Sequence, residues 1–281
     1  MPTTLRFVAT LALLSLRPGG APLALAGQGD FAVFVTRLGG DAKAAEPYLA
    51  KFSTFLEGAM GWPKGAAKGT FLATKKESLA LLGKGTTGFA VVEPTLYFEL
   101  KASQKLVPLV QVESKDLVSK RVHVVVKDPA LSSLAALKGK RLQTPLADWP
   151  AYLSKVVFEK KLDAATHFAL KRTGQALKGV RAVLKGQADA TLLDDDQLAQ
   201  AKKMEGGAAL RSIHTSPALP GVLVVALSTQ LPPPAQKKLA KLLLGMCGSG
   251  KGGEICKEMM ISRFIPVDAA TLKKAEQRFG E

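Results

Sequence analysis

From residue 30 onward, short apolar runs alternate with longer stretches whose apolar positions recur at helical spacing. The runs at 30–36, 68–73, 88–92, 106–112, 121–126, 141–144, 168–173, 190–193, 210–214 and 222–227 are short and rich in Val, Leu, Ala and Phe. They predict strands, several of them buried on both faces. Helices are predicted between them. Asp41 opens one over 42–60, and Thr74 with Glu77 forms a capping box for one ending at Leu82. Pro94 sits in the first turn of the next, Pro232, Pro233 and Pro234 open one running to Leu244, and Asp268 caps the last. Further helices are expected at 131–137, 148–161, 174–184 and 197–204. This strand–helix alternation predicts an α/β fold.

One unit occurs twice. A helical stretch runs to Gly85, an apolar run follows, and Glu93 stands eight residues after the glycine; Gly186 and Asp194 repeat the arrangement about a hundred residues later. The glycines suit a left-handed turn closing a helix. A polar residue at the carboxyl end of a parallel strand faces the crevice where open α/β sheets bind ligands. Two such units predict two similar lobes with strand ends facing across a cleft.

Composition narrows the classes. The chain has 281 residues, 47% of them hydrophobic, and a formal charge of +16. This excludes a disordered chain. Lys237, Lys238 and Lys241, and likewise Lys155, Lys160 and Lys161, have the spacing of solvated helix faces, although a basic surface favours acidic ligands or anionic membranes. Nucleic acid is not expected, since Arg-rich helices, zinc spacing and aromatic platforms are all missing from the sequence. Arg6, an apolar run over 7–16 and Ala24-Leu25-Ala26 read as a signal peptide over 1–26 cleaved near Ala26, and the run is too short to span a bilayer. Position 27 is Gly, so a lipid-anchoring cysteine is not expected there. In the oxidising compartment this implies, Cys247 and Cys256 are expected to form a disulfide stapling a Gly-rich loop.

The order of three further motifs resembles a known family. A turn into a strand at Leu134-Ala135-Ala136-Leu137-Lys138-Gly139-Lys140-Arg141 precedes Gly186-Gln187-Ala188-Asp189-Ala190 and the strand 219–225. Together they resemble the type 2 periplasmic solute-binding proteins, in the phosphate/phosphonate branch of ABC importers, over about residues 30–266. The resemblance implies a two-lobed α/β fold, each lobe a mostly parallel sheet flanked by helices. Lobe one would be 27–122 plus 224–281, lobe two 123–223, with strands 121–126 and 222–227 crossing between them. It implies a small solute held in the cleft, a membrane permease as partner, a monomer in the periplasm, and neither catalysis nor a cofactor. Candidate ligand contacts are Thr36, Arg37, Thr74, Glu93 and Tyr97 from lobe one, and Thr144, Asp148, Trp149, Tyr152 and Asp194 from lobe two.

The lobe-two helix start departs from the family pattern. Small hydroxyl residues and glycines there expose backbone N–H groups to oxyanions. Here Asp148 would bring its own carboxylate and Pro150 removes a donor. Glu93 and Asp194 add negative charge, so a doubly charged phosphate needs Arg37 or a lysine to compensate. Tyr97, Trp149 and Tyr152 could instead line an apolar wall for a larger, lipid-like solute such as a sterol. Asp148 and Asp41 also read simply as helix caps, and Trp149 as packing at a helix start. A sensor or scaffold on the same fold is the remaining alternative. For catalysis the sequence offers little. His123, His167 and His214 fall in no metal or nucleophile motif, and Gly245 to Lys251 matches a phosphate loop only up to Gly252, where Ser or Thr is required. The acidic run Asp194-Asp195-Asp196 has no further metal-ligand pattern around it.

Overall fold

The computed structural model describes residues 29–35, 42–114, 121–248 and 250–280. The expected signal peptide with its cut near Ala26, and Thr36, Arg37 and Asp41, lie outside the described residues. The first segment runs β1 (Phe31–Phe34), α1 (Ala42–Met60), β2 (Gly69–Phe71), α2 (Lys75–Leu82), β3 (Phe89–Val92), α3 (Pro94–Gln104) and β4 (Leu106–Glu113). The middle segment runs β5 (Val122–Val126), β6 (Arg141–Thr144), α4 (Pro150–Tyr152), α5 (Ala164–His167), β7 (Ala169–Arg172), α6 (Ala176–Leu184), β8 (Ala190–Asp194), α7 (Asp195–Lys202) and β9 (Arg211–Thr215). The chain ends with β10 (Leu223–Leu227), α8 (Pro233–Met246), α9 (Gly250–Glu258), β11 (Arg263–Ile265) and α10 (Ala269–Phe279).

These strands form two sheets of matching topology. The first has the order β11-β4-β10-β3-β1-β2 and the second β7-β6-β8-β5-β9. In each, three parallel strands are joined by an antiparallel one: β10 pairs with β3, and β5 pairs with β8. Those two are the expected crossing strands, since β5 follows β4 of the first sheet and β10 follows β9 of the second. All residues of β1, β5, β8 and β10 are buried, as expected for strands covered on both faces. The α/β two-sheet architecture is therefore the expected one, and the repeated glycines sit as anticipated, Gly85 at φ +65° and Gly186 at φ +70°. Each closes the turn between a helix and the next parallel strand.

Three apolar clusters hold this frame. One packs α1, α8 and α9 on the outer face of the first sheet, and a smaller one packs α6 and α7 on the second. The largest draws from both sheets, with Phe34, Leu96, Tyr97 and Phe98 on one side and Leu142, Trp149, Tyr152 and Leu153 on the other. Among the described residues no helix is long and apolar enough to cross a membrane.

Some elements differ from expectation. The helix expected over 148–161 is broken into a 3-10 turn at Pro145–Asp148, the single turn α4, and a π-type stretch at Leu153–Val157. The Ser154 hydroxyl explains part of this: it donates to the Pro150 carbonyl at 2.7 Å and accepts from the Ala164 amide at 2.8 Å. The Phe158 amide then reaches back to Leu153 instead. The expected helix at 131–137 shrinks to a 3-10 turn at Ala135–Leu137. The cysteines are bonded, with Cα atoms 5.5 Å apart, but the stretch between them is mostly helix α9 and not a loop. Burial of Ile255 and Cys256 overrides its glycine content. Strand β11 was not anticipated; it pairs at the sheet edge with β4, far away in sequence.

Candidate functional site

The eight described candidates all stand at the carboxyl ends of strands or on the turns and helices that follow them. Thr74 caps α2, its hydroxyl accepting from the Glu77 amide at 3.2 Å, while the Glu77 carboxylate accepts from the Thr74 amide at 3.0 Å. Interaction with the Thr74 side chain first, then the Ala73 and Thr74 amides that donate to it, hold the Glu77 carboxyl below its usual range. Thr144 ends β6 fully buried and accepts from the Leu146 amide at 3.2 Å. Asp194 ends β8 and caps α7: its carboxylate accepts from the Gln197 amide at 2.8 Å, and the Gln197 side chain accepts from the Asp194 amide at 3.0 Å. Glu93 directly follows β3 and is the N-cap of α3, but its side chain makes no capping hydrogen bond. Both acids are only 4% exposed, and both have partners.

The aromatic candidates are packed against protein side chains. Trp149 stands edge-on to Phe34 of β1, ring centres 5.9 Å apart, so the second sheet's helix start rests on the first sheet's strand end. Tyr152 meets Phe98 of α3 at 5.8 Å. Tyr97 is turned toward α10, where its hydroxyl donates to Glu276 at 2.7 Å beside Lys101, itself 2.9 Å from that carboxylate. Trp149 and Tyr152 thus form the seam between the sheets, while Tyr97 anchors the last helix. Phe98 continues the contact onto Phe279 of α10, and the Lys155 ammonium lies over that ring at 4.6 Å.

Charge at the rim is balanced by residues the sequence reading did not single out. The Asp148 carboxylate pairs with Arg172 at 2.7 Å. Lys75, the first residue of α2, reaches across the seam. Its ammonium lies 4.3 Å from the centre of the Trp149 ring, donates to the Asp148 carbonyl at 3.3 Å, and pairs with Glu99 at 3.2 Å. Arg172 ends β7 and Lys75 follows β2, so the strand-end rule that selected Thr144 would also have found both. Arg172 thus compensates Asp148, and Lys75 compensates Glu99.

A second polar cluster braces the second sheet next to the crossing strand. His123 of β5 has its Nε2 3.0 Å from the Asp195 carboxylate, and its Nδ1 3.1 Å from both the Ser212 and Thr215 hydroxyls. Burial pushes the Asp195 carboxyl up, but hydrogen bonds from His123 and Arg121 outweigh it and leave it below its usual range. The Ser212 hydroxyl donates to the His214 carbonyl, so the group ties β5, β9 and α7 together. Among the described residues no group of His, Cys, Asp and Glu could hold a metal ion.

A family model, the phosphonate periplasmic substrate-binding protein of ABC transporters, matches residues 42–272. XAC2383 from Xanthomonas citri, solved bound to chloride ion, superposes with a TM-score of 0.69 at 16% identity, covering 89% of this chain and 96% of that one. A binding protein component of an ABC phosphonate transporter from Pseudomonas aeruginosa gives 0.60 at 14% identity, covering 89% and 84%. PhnD1 from Prochlorococcus marinus, in complex with methylphosphonate, gives 0.58 at 14% identity, covering 89% and 96%. At such identities the solved structures speak for the fold alone. No curated protein matches the chain in sequence.

Proposed function

We propose that this chain, which belongs to the family of phosphonate periplasmic substrate-binding proteins of ABC transporters, captures a small oxyanion of the phosphate or phosphonate class and delivers it to a membrane permease. The observation that carries this is the family match over residues 42–272, supported by the packing of Trp149 on Phe34 and of Tyr152 on Phe98 between the two sheets. The solute would enter with the lobes apart and be enclosed by hinge closure about the crossing strands β5 and β10. The first lobe would comprise 27–122 plus 224–281 and the second 123–223. Thr74, Glu93, Thr144, Asp148, Trp149, Tyr152 and Asp194 would surround the solute, with Thr36 and Arg37 joining from the β1 end. Export to the periplasm, with removal of residues 1–26, and a monomeric state complete the proposal.

Lys75 and Arg172 are compatible with the anionic ligand class, because Arg172 offsets the Asp148 carboxylate and Lys75 offsets Glu99 at the rim. The lipid-like alternative has less behind it. Its wall was to be Tyr97, Trp149 and Tyr152, and each is at most 4% exposed and engaged with protein groups.

Thermal melts of the mature protein with phosphate, methylphosphonate, sulfate and a lipid extract test the proposal. A ligand at a hundredfold its Kd stabilises by about 2.7 kcal/mol, raising Tm by roughly 5–10 °C for a chain of this size. The expected result is such a shift with phosphate or methylphosphonate. A shift with the lipid extract alone would overturn the oxyanion class.

A further inference from the structure

Helix α3 begins at the seam with hydrogen-bonding capacity that the protein does not use. Thr95, its second residue, is 3% exposed, and its hydroxyl oxygen has no hydrogen-bond partner. Burying a hydroxyl without a partner is costly, and native structures rarely do so without a role for it. The backbone around it is open as well. Glu93, the N-cap, gives no side-chain hydrogen bond to the helix, Pro94 has no N–H, and the Leu96 and Tyr97 amides both turn to the Glu93 carbonyl. The Thr95 amide is left as a first-turn donor with no partner among the described residues, at the positive end of an eleven-residue helix.

The direction of the side chain follows from helical spacing. Thr95 shares a face with Phe98, three residues on, and Glu99, four residues on. Phe98 packs on Tyr152 of the other sheet, and Glu99 pairs with Lys75, whose ammonium covers Trp149. Side chains on a helix lean toward its N-terminus, so the Thr95 hydroxyl sits one turn closer to the strand ends than these seam contacts.

We infer that Thr95 is a solute-contact residue: its hydroxyl and amide form the first lobe's share of an oxyanion subsite, with Lys75 as the nearby cation. This rests on the solute-binding reading above and names a residue that reading does not include. The hydroxyl donates to one oxygen of a phosphate or phosphonate and the amide to the same or a second one. The bound anion thereby supplies the acceptor that the closed protein lacks.

The test is calorimetric titration of methylphosphonate into wild type, Thr95→Val and Thr95→Ser, with melts of all three without ligand. Valine keeps the shape and removes the unpartnered oxygen, so ligand-free T95V is expected to melt at or above the wild-type temperature. Its affinity is expected to fall about ten- to a hundredfold, the range for one hydrogen bond to a charged group, while T95S binds like wild type. Equal affinity of T95V and wild type would overturn the assignment and leave the solute-binding reading standing. Equal losses in T95V and T95S would overturn it too, because the methyl group and not the hydroxyl would then matter. Failure of wild type to bind methylphosphonate, phosphate or sulfate would overturn both this inference and the oxyanion class.

Discussion

Glu93 and Asp194 hold equivalent places. Each stands eight residues past a glycine at positive φ, at the carboxyl end of a parallel strand (Asp194 its last residue, Glu93 the one after it), and is the N-cap of the following helix. The residue two positions beyond each N-cap's immediate successor decides what happens next. After Asp194 it is Gln197, whose side chain returns to the Asp194 amide, so α7 closes its own first turn. After Glu93 it is Leu96, fully buried in the cluster shared by both sheets, and a leucine cannot complete a capping box. The intervening residues diverge in the same sense: Asp195 binds His123 and Arg121, whereas Pro94 offers no donor and Thr95 keeps an unpaired hydroxyl. One copy of the unit has become a structural joint beside the crossing strand. The other leaves the Thr95 hydroxyl unpaired at the start of α3. Equal spacing from a turn therefore identifies a strand end but not its task; the third helical position does that.

Substitutions can break this comparison in order of size. Leu96→Ala should cost about 2–5 kcal/mol, because a fully buried core side chain is truncated; urea unfolding measures it, and a cost near zero would remove Leu96 from the core. Asp194→Ala removes the cap of α7 and should cost about 0.5–2 kcal/mol by the same assay. Gly85→Ala and Gly186→Ala force alanine into a left-handed conformation and should each cost roughly 1 kcal/mol. Clearly unequal costs would show that the two turns are not equivalent.

The smallest effect concerns acid. The folded-state pKa of Asp195 lies below its ordinary value of 3.8. Its contribution to stability is therefore present above that ordinary value and is lost as pH falls through the folded one. Asp195→Asn should flatten the decline in stability below about pH 4, read from urea midpoints across that range. The equivalent residue Pro94 has no ionisable group, so α3 has no matching acid-sensitive contact at this position.

Much of the fold was legible because its signals are local. Glycines after helices, prolines at helix starts, the Thr74–Glu77 box and doubly buried strands each act within a few residues. Helix α9 was hidden because its glycines argue against helix, and only the packing of Ile255 and Cys256 reverses that preference. Strand β11 is three residues long and is defined by a distant partner, β4. At the site, the strand-end rule selected Thr144, Asp148 and Trp149, but not what crosses to meet them. The strand-end positions of Arg172 and Lys75 are local signals, but that Arg172 neutralises Asp148, and that Lys75 covers Trp149 with Phe34 beneath it, are tertiary facts. Thr95 was hidden for a related reason, since an unpaired hydroxyl is visible only when every neighbour has been placed.

Trp149 provides the most direct test of solute binding at the seam, because the chain has only two tryptophans. In a Trp62→Phe background, its fluorescence should change saturably as methylphosphonate is added, with a midpoint equal to the calorimetric Kd. Calorimetric binding without any change in Trp149 emission would place the solute away from the seam and contradict the account.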